Sequence, residues 1–236
     1  RRSRVLGDVY KRQSQDFYID FQLLQKYLKR LRKLKRVIIP ISYHSFFYSL
    51  EFSNRFNKRI DFYRKVHEIP RQQPNYSNVV RSRFWFQLYG LRESIDYVLN
   101  NKFDITTLEM TATGHRQRPL HSINDVTSIS SNTSTLESNL ALMDTSFVKE
   151  NLNWLTKTIA LLRSNDVEIV LVSLPLYSNY LKSIPKRYTT RSKQLALKFS
   201  ELSKVSYYDF QGDGRFEAQD FRNPDHLNAI GAKKFS

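Results

Sequence analysis

The sequence contains no cysteine, which removes disulfide frameworks, thiolate metal sites and cysteine nucleophiles together. Cysteine-free chains suit both cytoplasm and envelope, so the redox compartment stays open. Glycine is scarce, 6 in 236 residues, and neither G-x-G-x-x-G nor a Walker pattern is present, so a glycine-rich phosphate cradle is excluded. No apolar run approaches the ~18 residues of a membrane span. The most hydrophobic stretches, Val37–Ile41 and Ile169–Leu174, have only strand length. Acidic residues are few, 22 against 38 basic ones, leaving a net charge of +16. What remains is 40% hydrophobic and 14% aromatic, enough for a packed core, which excludes collagenous and fully disordered classes. At ~150 residues per domain the length fits one large domain or two small ones.

A high positive charge points to nucleic acid or an anionic surface only when it is concentrated. Here Arg1, Arg2, Arg4, Lys11 and Arg12 against Asp8 place +4 of the +16 in the first thirteen residues. Within them Val5–Gln13, VLGDVYKRQ, resembles translated sequencing-adaptor remnants at the ends of assembled metagenomic reading frames. Residues 1–13 are therefore read as a non-native leader, and 14–236 as the domain. The rest of the charge is spread out, with one dense block at Lys26–Arg36. That block is read as the solvated side of a helix, with contact to an anionic lipid or glycan surface as the functional alternative. No aromatic-basic RNA motif or helix-turn-helix pattern accompanies it, so nucleic acid is not expected.

Apolar residues at Phe17, Phe21, Leu24, Leu28, Leu31 and Leu34 recur at three and four, predicting a helix over 17–34. Val37–Ile41 follows as a strand apolar on both faces, the mark of a buried parallel strand. The pattern returns as a helix over 145–164 (Val148, Leu152, Leu155, Ile159, Leu162) before the strand Glu168–Leu174. It returns again as Leu195–Leu202 before Val205–Asp209, and a closing helix is placed near Leu227. Three helix-then-strand repeats predict an open α/β sheet. Residues 44–143 form an insert, with helices over Phe46–Tyr63 and Ser77–Leu99 and a polar loop over Thr127–Ser138. Such an insert belongs over the carboxyl edge of the sheet, where ligands bind in this class.

The most informative segment is Asp220–Ala232, DFRNPDHLNAIGA. A histidine in a loop after the last strand and before a helix stands at the carboxyl edge, where it can act as a general base. This run resembles the SGNH (GDSL-like) hydrolase family, particularly its envelope-associated, acyltransferase-like branches, which end in D-x-x-H-L-N-x-x-G-A. The resemblance extends in order and spacing to Ser14-Gln15-Asp16, to Val37–Ser45 and to Ile169–Tyr177. It implies a three-layer parallel sheet, a serine activated by His226, no cofactor and no metal, and an acylated carbohydrate or cell-envelope polymer as substrate, outside the cytoplasm.

Three departures follow from the same comparison. The family's orienting aspartate falls at Asn223. Asp225 is adjacent to His226, and neighbouring side chains tend to diverge, so Asn223 is expected to orient the ring through its amide oxygen. The family's nucleophile lies in a G-D-S-type turn after the first strand. Gly7-Asp8-Val9 offers valine there, so that strand and its serine are expected upstream of residue 14. Ser14 corresponds to a block whose backbone N–H helps hold the oxyanion, and capping the first helix is equally open to it. Ser42 lies where the family places a second oxyanion donor, an asparagine. His44 is read as a packed loop histidine, Asn228 as a brace and Gly231 as a packing residue. His115 and His121 lack the carboxylates or thiolates of a metal set. The alternatives are a non-catalytic SGNH-fold glycan-binding protein, favoured by Asn223, and a basic nucleic-acid-binding domain, favoured by charge alone.

Overall fold

In chain order the described elements are α1 (Phe17–Tyr27), β1 (Arg36–Pro40), α2 (Thr133–Leu140), α3 (Val148–Ser164), β2 (Glu168–Ser173), α4 (Ser178–Ser183), α5 (Lys186–Ser200), β3 (Val205–Asp209), β4 (Phe221–Asn223), β5 (His226–Leu227) and α6 (Ala229–Phe235). The computed structural model describes residues 15–52, 60, 63–64, 66–72 and 133–236. β1, β2 and β3 form a parallel sheet in that order. Val37 lies opposite Ile169 and Ile169 opposite Val205; Ile39, Leu171 and Tyr207 make the next row. Parallel neighbours need crossover connections, and α3 and α5 provide them.

The helices bury one face of this sheet. Val37, Ile39, Ile41, Ile169, Leu171 and Val205 share one core with Phe17, Leu24, Leu155, Ile159, Leu162, Leu195 and Ala196. A fully buried leucine such as Leu155, Leu162 or Leu171 contributes about 1.5–3 kcal/mol. The opposite face is covered only in part: Val172 is buried, yet Ile38 is 57% exposed and Tyr208 53%. An open α/β sheet is therefore present. β1 alternates, with Arg36, Ile38 and Pro40 outward, so it is not apolar-buried on both faces.

Element boundaries differ from the sequence reading for local reasons. α1 stops at Tyr27 and passes through a 3-10 turn, Leu28–Arg30, so Arg32–Lys35 lie beyond the helix and the basic block is not one helical face. Asp16 caps α1, its Oδ1 accepting from Ile19 N at 3.0 Å. Of the helix expected over Phe46–Tyr63, residues 46–52 form an irregular loop while Ile60 and Tyr63 are helical, and 133–138, expected as loop, lie within α2. The 145–164 helix is α3 preceded by a 3-10 turn, Thr145–Phe147. α5 begins nine residues before Leu195, at Lys186. The Ser77–Leu99 segment lies outside the described residues. Among the described residues no helix is long and apolar enough to cross a membrane.

Candidate functional site

His226 stands on a hairpin whose turn is too short to let its neighbours escape. β4 and β5 pair antiparallel, with Asn223 opposite His226 and a bulge between Phe221 and Asn223. Only Pro224 and Asp225 form the connection, so the side chains converge. His226 Nδ1 lies 2.9 Å from Asn223 Oδ1 and 2.7 Å from Asp225 Oδ1. The expectation that Asp225 turns away is corrected, because the tight turn folds its carboxylate back onto the ring. Both neighbours of Nδ1 are acceptors, so Nδ1 carries the proton and Nε2 presents its lone pair. The His226 side chain is 39% exposed, leaving that lone pair room for a ligand.

The hairpin is tied to the carboxyl edge of the sheet. Tyr177 N, after β2, donates to Pro224 O at 3.0 Å, and Leu176 N donates to Gln211 O, after β3, at 3.2 Å. Behind it the H-L-N-x-x-G-A run acts as a brace. Asn228 Oδ1 caps α6, accepting from Ile230 N at 2.9 Å and Gly231 N at 3.0 Å. Asn228 N donates to Asp220 O at 2.9 Å. A Cβ at position 231 would land on that same carbonyl oxygen and within 3.0 Å of the Asp220 Cβ, so only glycine allows the approach.

The loop after β1 brings a second histidine to the site. His44 Nδ1 is 3.0 Å from Ser42 Oγ, and Ser42 N donates to Ser45 Oγ at 2.8 Å. The Ser42 backbone N–H is thus occupied within the loop, and its hydroxyl serves His44. Burial pushes the His44 pKa down to about 4, with Asp225 acting against the shift and His226 with it. His44 is therefore neutral near pH 7 and faces both members of the hairpin pair. Burial alone would raise the Asp225 carboxyl. The hydrogen bond from His226, with the positive charges that His226 and His44 carry when protonated in acid, outweighs it and holds Asp225 below the usual carboxylate range.

This loop is irregular and buried, so its backbone must be satisfied by distant side chains. Asn151 Nδ2, on α3, donates to Phe46 O and Tyr48 O at 3.0 and 2.9 Å. Ser192 Oγ, on α5, donates to Tyr43 O at 3.1 Å. Leu50 N donates to Asp16 Oδ2 at 2.6 Å, so one carboxylate both caps α1 and anchors the loop. Tyr43 OH meets Tyr180 OH at 2.8 Å and accepts from Asn139 Nδ2 at 3.0 Å. Sequence reading had assigned none of these positioning roles, nor His44 to the site. The only local signal was a run of aromatics too dense for a solvent loop.

Of the residues expected at the site, Asn223, Asp225 and His226 meet directly, whereas Ser42 bonds His44, which interacts with Asp225 and His226 through charge alone. Ser14, His115 and His121 lie outside the described residues. Among the described residues no group of three or more His, Asp or Glu is placed to hold a metal. Within the basic block, Lys26 pairs with Glu68 at 2.6 Å, and the Arg30 guanidinium lies over the Tyr27 ring at 5.5 Å. Comparison of the chain with family models, curated proteins and solved structures finds no match in any of the three.

Proposed function

We propose that this chain belongs to an SGNH-type ester hydrolase or O-acyltransferase acting on an acylated carbohydrate or cell-envelope polymer, with His226 as its general base. The observation that carries the reading is the Nδ1 arrangement, in which a half-buried carboxylate and an amide oxygen fix the tautomer and leave Nε2 free. In this reading a serine hydroxyl of the family's G-D-S-type turn attacks the acyl carbonyl while Nε2 takes its proton. Asp225 stabilises the imidazolium, and the tetrahedral oxyanion is held by N–H donors. The imidazolium then protonates the leaving sugar oxygen as the C–O bond breaks. Water or an acceptor hydroxyl repeats the sequence on the acyl-serine. The envelope setting, and a supporting contact of the Lys26–Lys35 region with an anionic surface, belong to the same proposal. Asn223 favoured a non-catalytic glycan binder while it stood alone beside the histidine; Asp225 at 2.7 Å removes that reason.

The test is hydrolysis of p-nitrophenyl acetate by the protein with a strand and G-D-S-type serine turn joined upstream. A general base contributes ~10²–10⁴-fold, so His226→Ala should lower kcat by that range with the fold intact. Undiminished turnover in the variant would sink the reading.

A further inference from the structure

We infer that a pocket beside the first turns of α5, separate from the His226 hairpin, binds an amphiphilic anion: an oxyanion head group carried on a short apolar or aromatic body. The pocket has a volume of about 430 Å³ and is lined by Phe47, Thr145, Val148, Arg187, Tyr188 and Arg191. That volume falls within the ~300–1,000 Å³ of ordinary small-molecule sites. Its apolar wall is built, since Phe47 and Tyr188 are buried and meet edge-to-face with centroids 4.9 Å apart. Its rim is cationic, because Arg187 and Arg191 stand one helical turn apart on α5.

The charge pattern selects the occupant. Several cations of the described surface are neutralised by carboxylates, among them Arg36 with Glu168 at 2.7 Å, Lys193 with Asp209 at 2.8 Å and Arg215 with Asp213 at 2.5 Å. Arg187 and Arg191 have no carboxylate partner among the described residues, and the first turn of α5 contains no acidic residue. The Arg187 guanidinium instead lies over the Tyr188 ring, 4.8 Å from its centroid, and donates to the Tyr188 hydroxyl at 3.2 Å. This arrangement keeps the fork ordered at the pocket mouth with N–H groups to spare. Two guanidinium forks suit an oxyanion head, and the Thr145 hydroxyl adds a donor. A purely inorganic anion would leave the apolar wall unused, and an uncharged hydrocarbon would leave both arginines unused.

The inference is independent of the proposed hydrolase chemistry, and so is its test, because binding is read without turnover. Calorimetric titration of the full chain with hexyl phosphate, hexanoate, inorganic phosphate and hexanol separates the contributions. Hexyl phosphate or hexanoate should bind about tenfold or more tightly than either inorganic phosphate or hexanol. The hexyl phosphate and hexanoate arms distinguish a phosphate from a carboxylate head, and tight binding of either supports the site. Arg187→Gln with Arg191→Gln should weaken that binding about tenfold or more, with an unchanged circular dichroism spectrum. His226→Ala should leave it unaltered. The inference is overturned by binding of neither amphiphile, by inorganic phosphate or hexanol matching them, or by indifference to the arginine changes.

Discussion

At the scale of the single residue, the site turns on what holds His226. Spacing alone favours Asn223, three residues earlier, and the amide oxygen is indeed at 2.9 Å. The same spacing says nothing about Asp225, whose approach depends on a two-residue turn that becomes visible only once β4 and β5 are paired. The two contacts are unequal in physics, because the carboxylate carries a full charge and lies closer. Asp225→Asn should therefore be the more damaging change, lowering kcat of the upstream-completed enzyme by ~10²–10⁴-fold. Asn223→Ala should cost about tenfold, and Asn223→Asp, which adds a second negative charge beside the ring, should recover part of the loss when combined with Asp225→Asn. Rates measured for the four variants decide it. A greater loss in Asn223→Ala than in Asp225→Asn would return the orienting role to the amide.

At the scale of the element, legibility followed how local the causes were. β2 stood out because its β-branched run is largely buried, and β3 matches its expected bounds although Val205 is its one buried residue. α5 was read late because its first two turns, Lys186–Leu195, are mostly polar, with Tyr188 and Ser192 as the buried contacts. Phe46, Phe47 and Tyr48 imitate a helical stripe but are buried in an irregular loop, and the groups that make the loop after β1 tolerable lie far away in sequence: Asp16, Asn151 and Ser192. No window centred on the loop contains them. The terminal brace is the opposite case, since Asn228 and Gly231 are legible from their neighbours. Gly231→Ala places a methyl group against the Asp220 backbone and must displace α6 or the Ala218–Asp220 turn. Overpacking of this kind costs about 1–3 kcal/mol. For a domain of this size that lowers Tm by several degrees, and because the turn carries the hairpin, the crosspeak of His226 in a histidine NMR spectrum should move as well. An unshifted melting curve would show that the brace yields without strain.

At the scale of the whole molecule, a chain of net charge +16 gains positive charge as pH falls, which ordinarily opposes folding in acid. Two carboxyls work the other way. Burial raises Asp16 to about 6, its bonds from Ile19 N and Leu50 N reducing the shift, while burial and the nearby Asp16 charge raise Asp20 to about 7. Both start from an ordinary value of 3.8, so between that value and their folded pKa values the native state holds more protons than the unfolded chain. Their contribution to stability is fully present below 3.8 and is lost as pH rises through about 6 and 7. Asp220 and Asp225 have the opposite sign. In each, burial is outweighed by a cationic partner, Lys234 or His226, and the stability they give is lost as pH falls below the ordinary carboxylate range. The two sets together place maximal stability near pH 4, with a decline from there to about pH 7 and little further change above it. Asp20→Asn removes the more strongly raised carboxyl and the repulsion it exerts on Asp16. Chemical denaturation should show it more stable than the parent at pH 8, nearly equal at pH 4, and with a flatter decline between them. Equal stabilities at pH 8, or a parent whose stability rises from pH 5 to 8, would mean that the raised carboxyls of α1 do not govern how this molecule responds to pH.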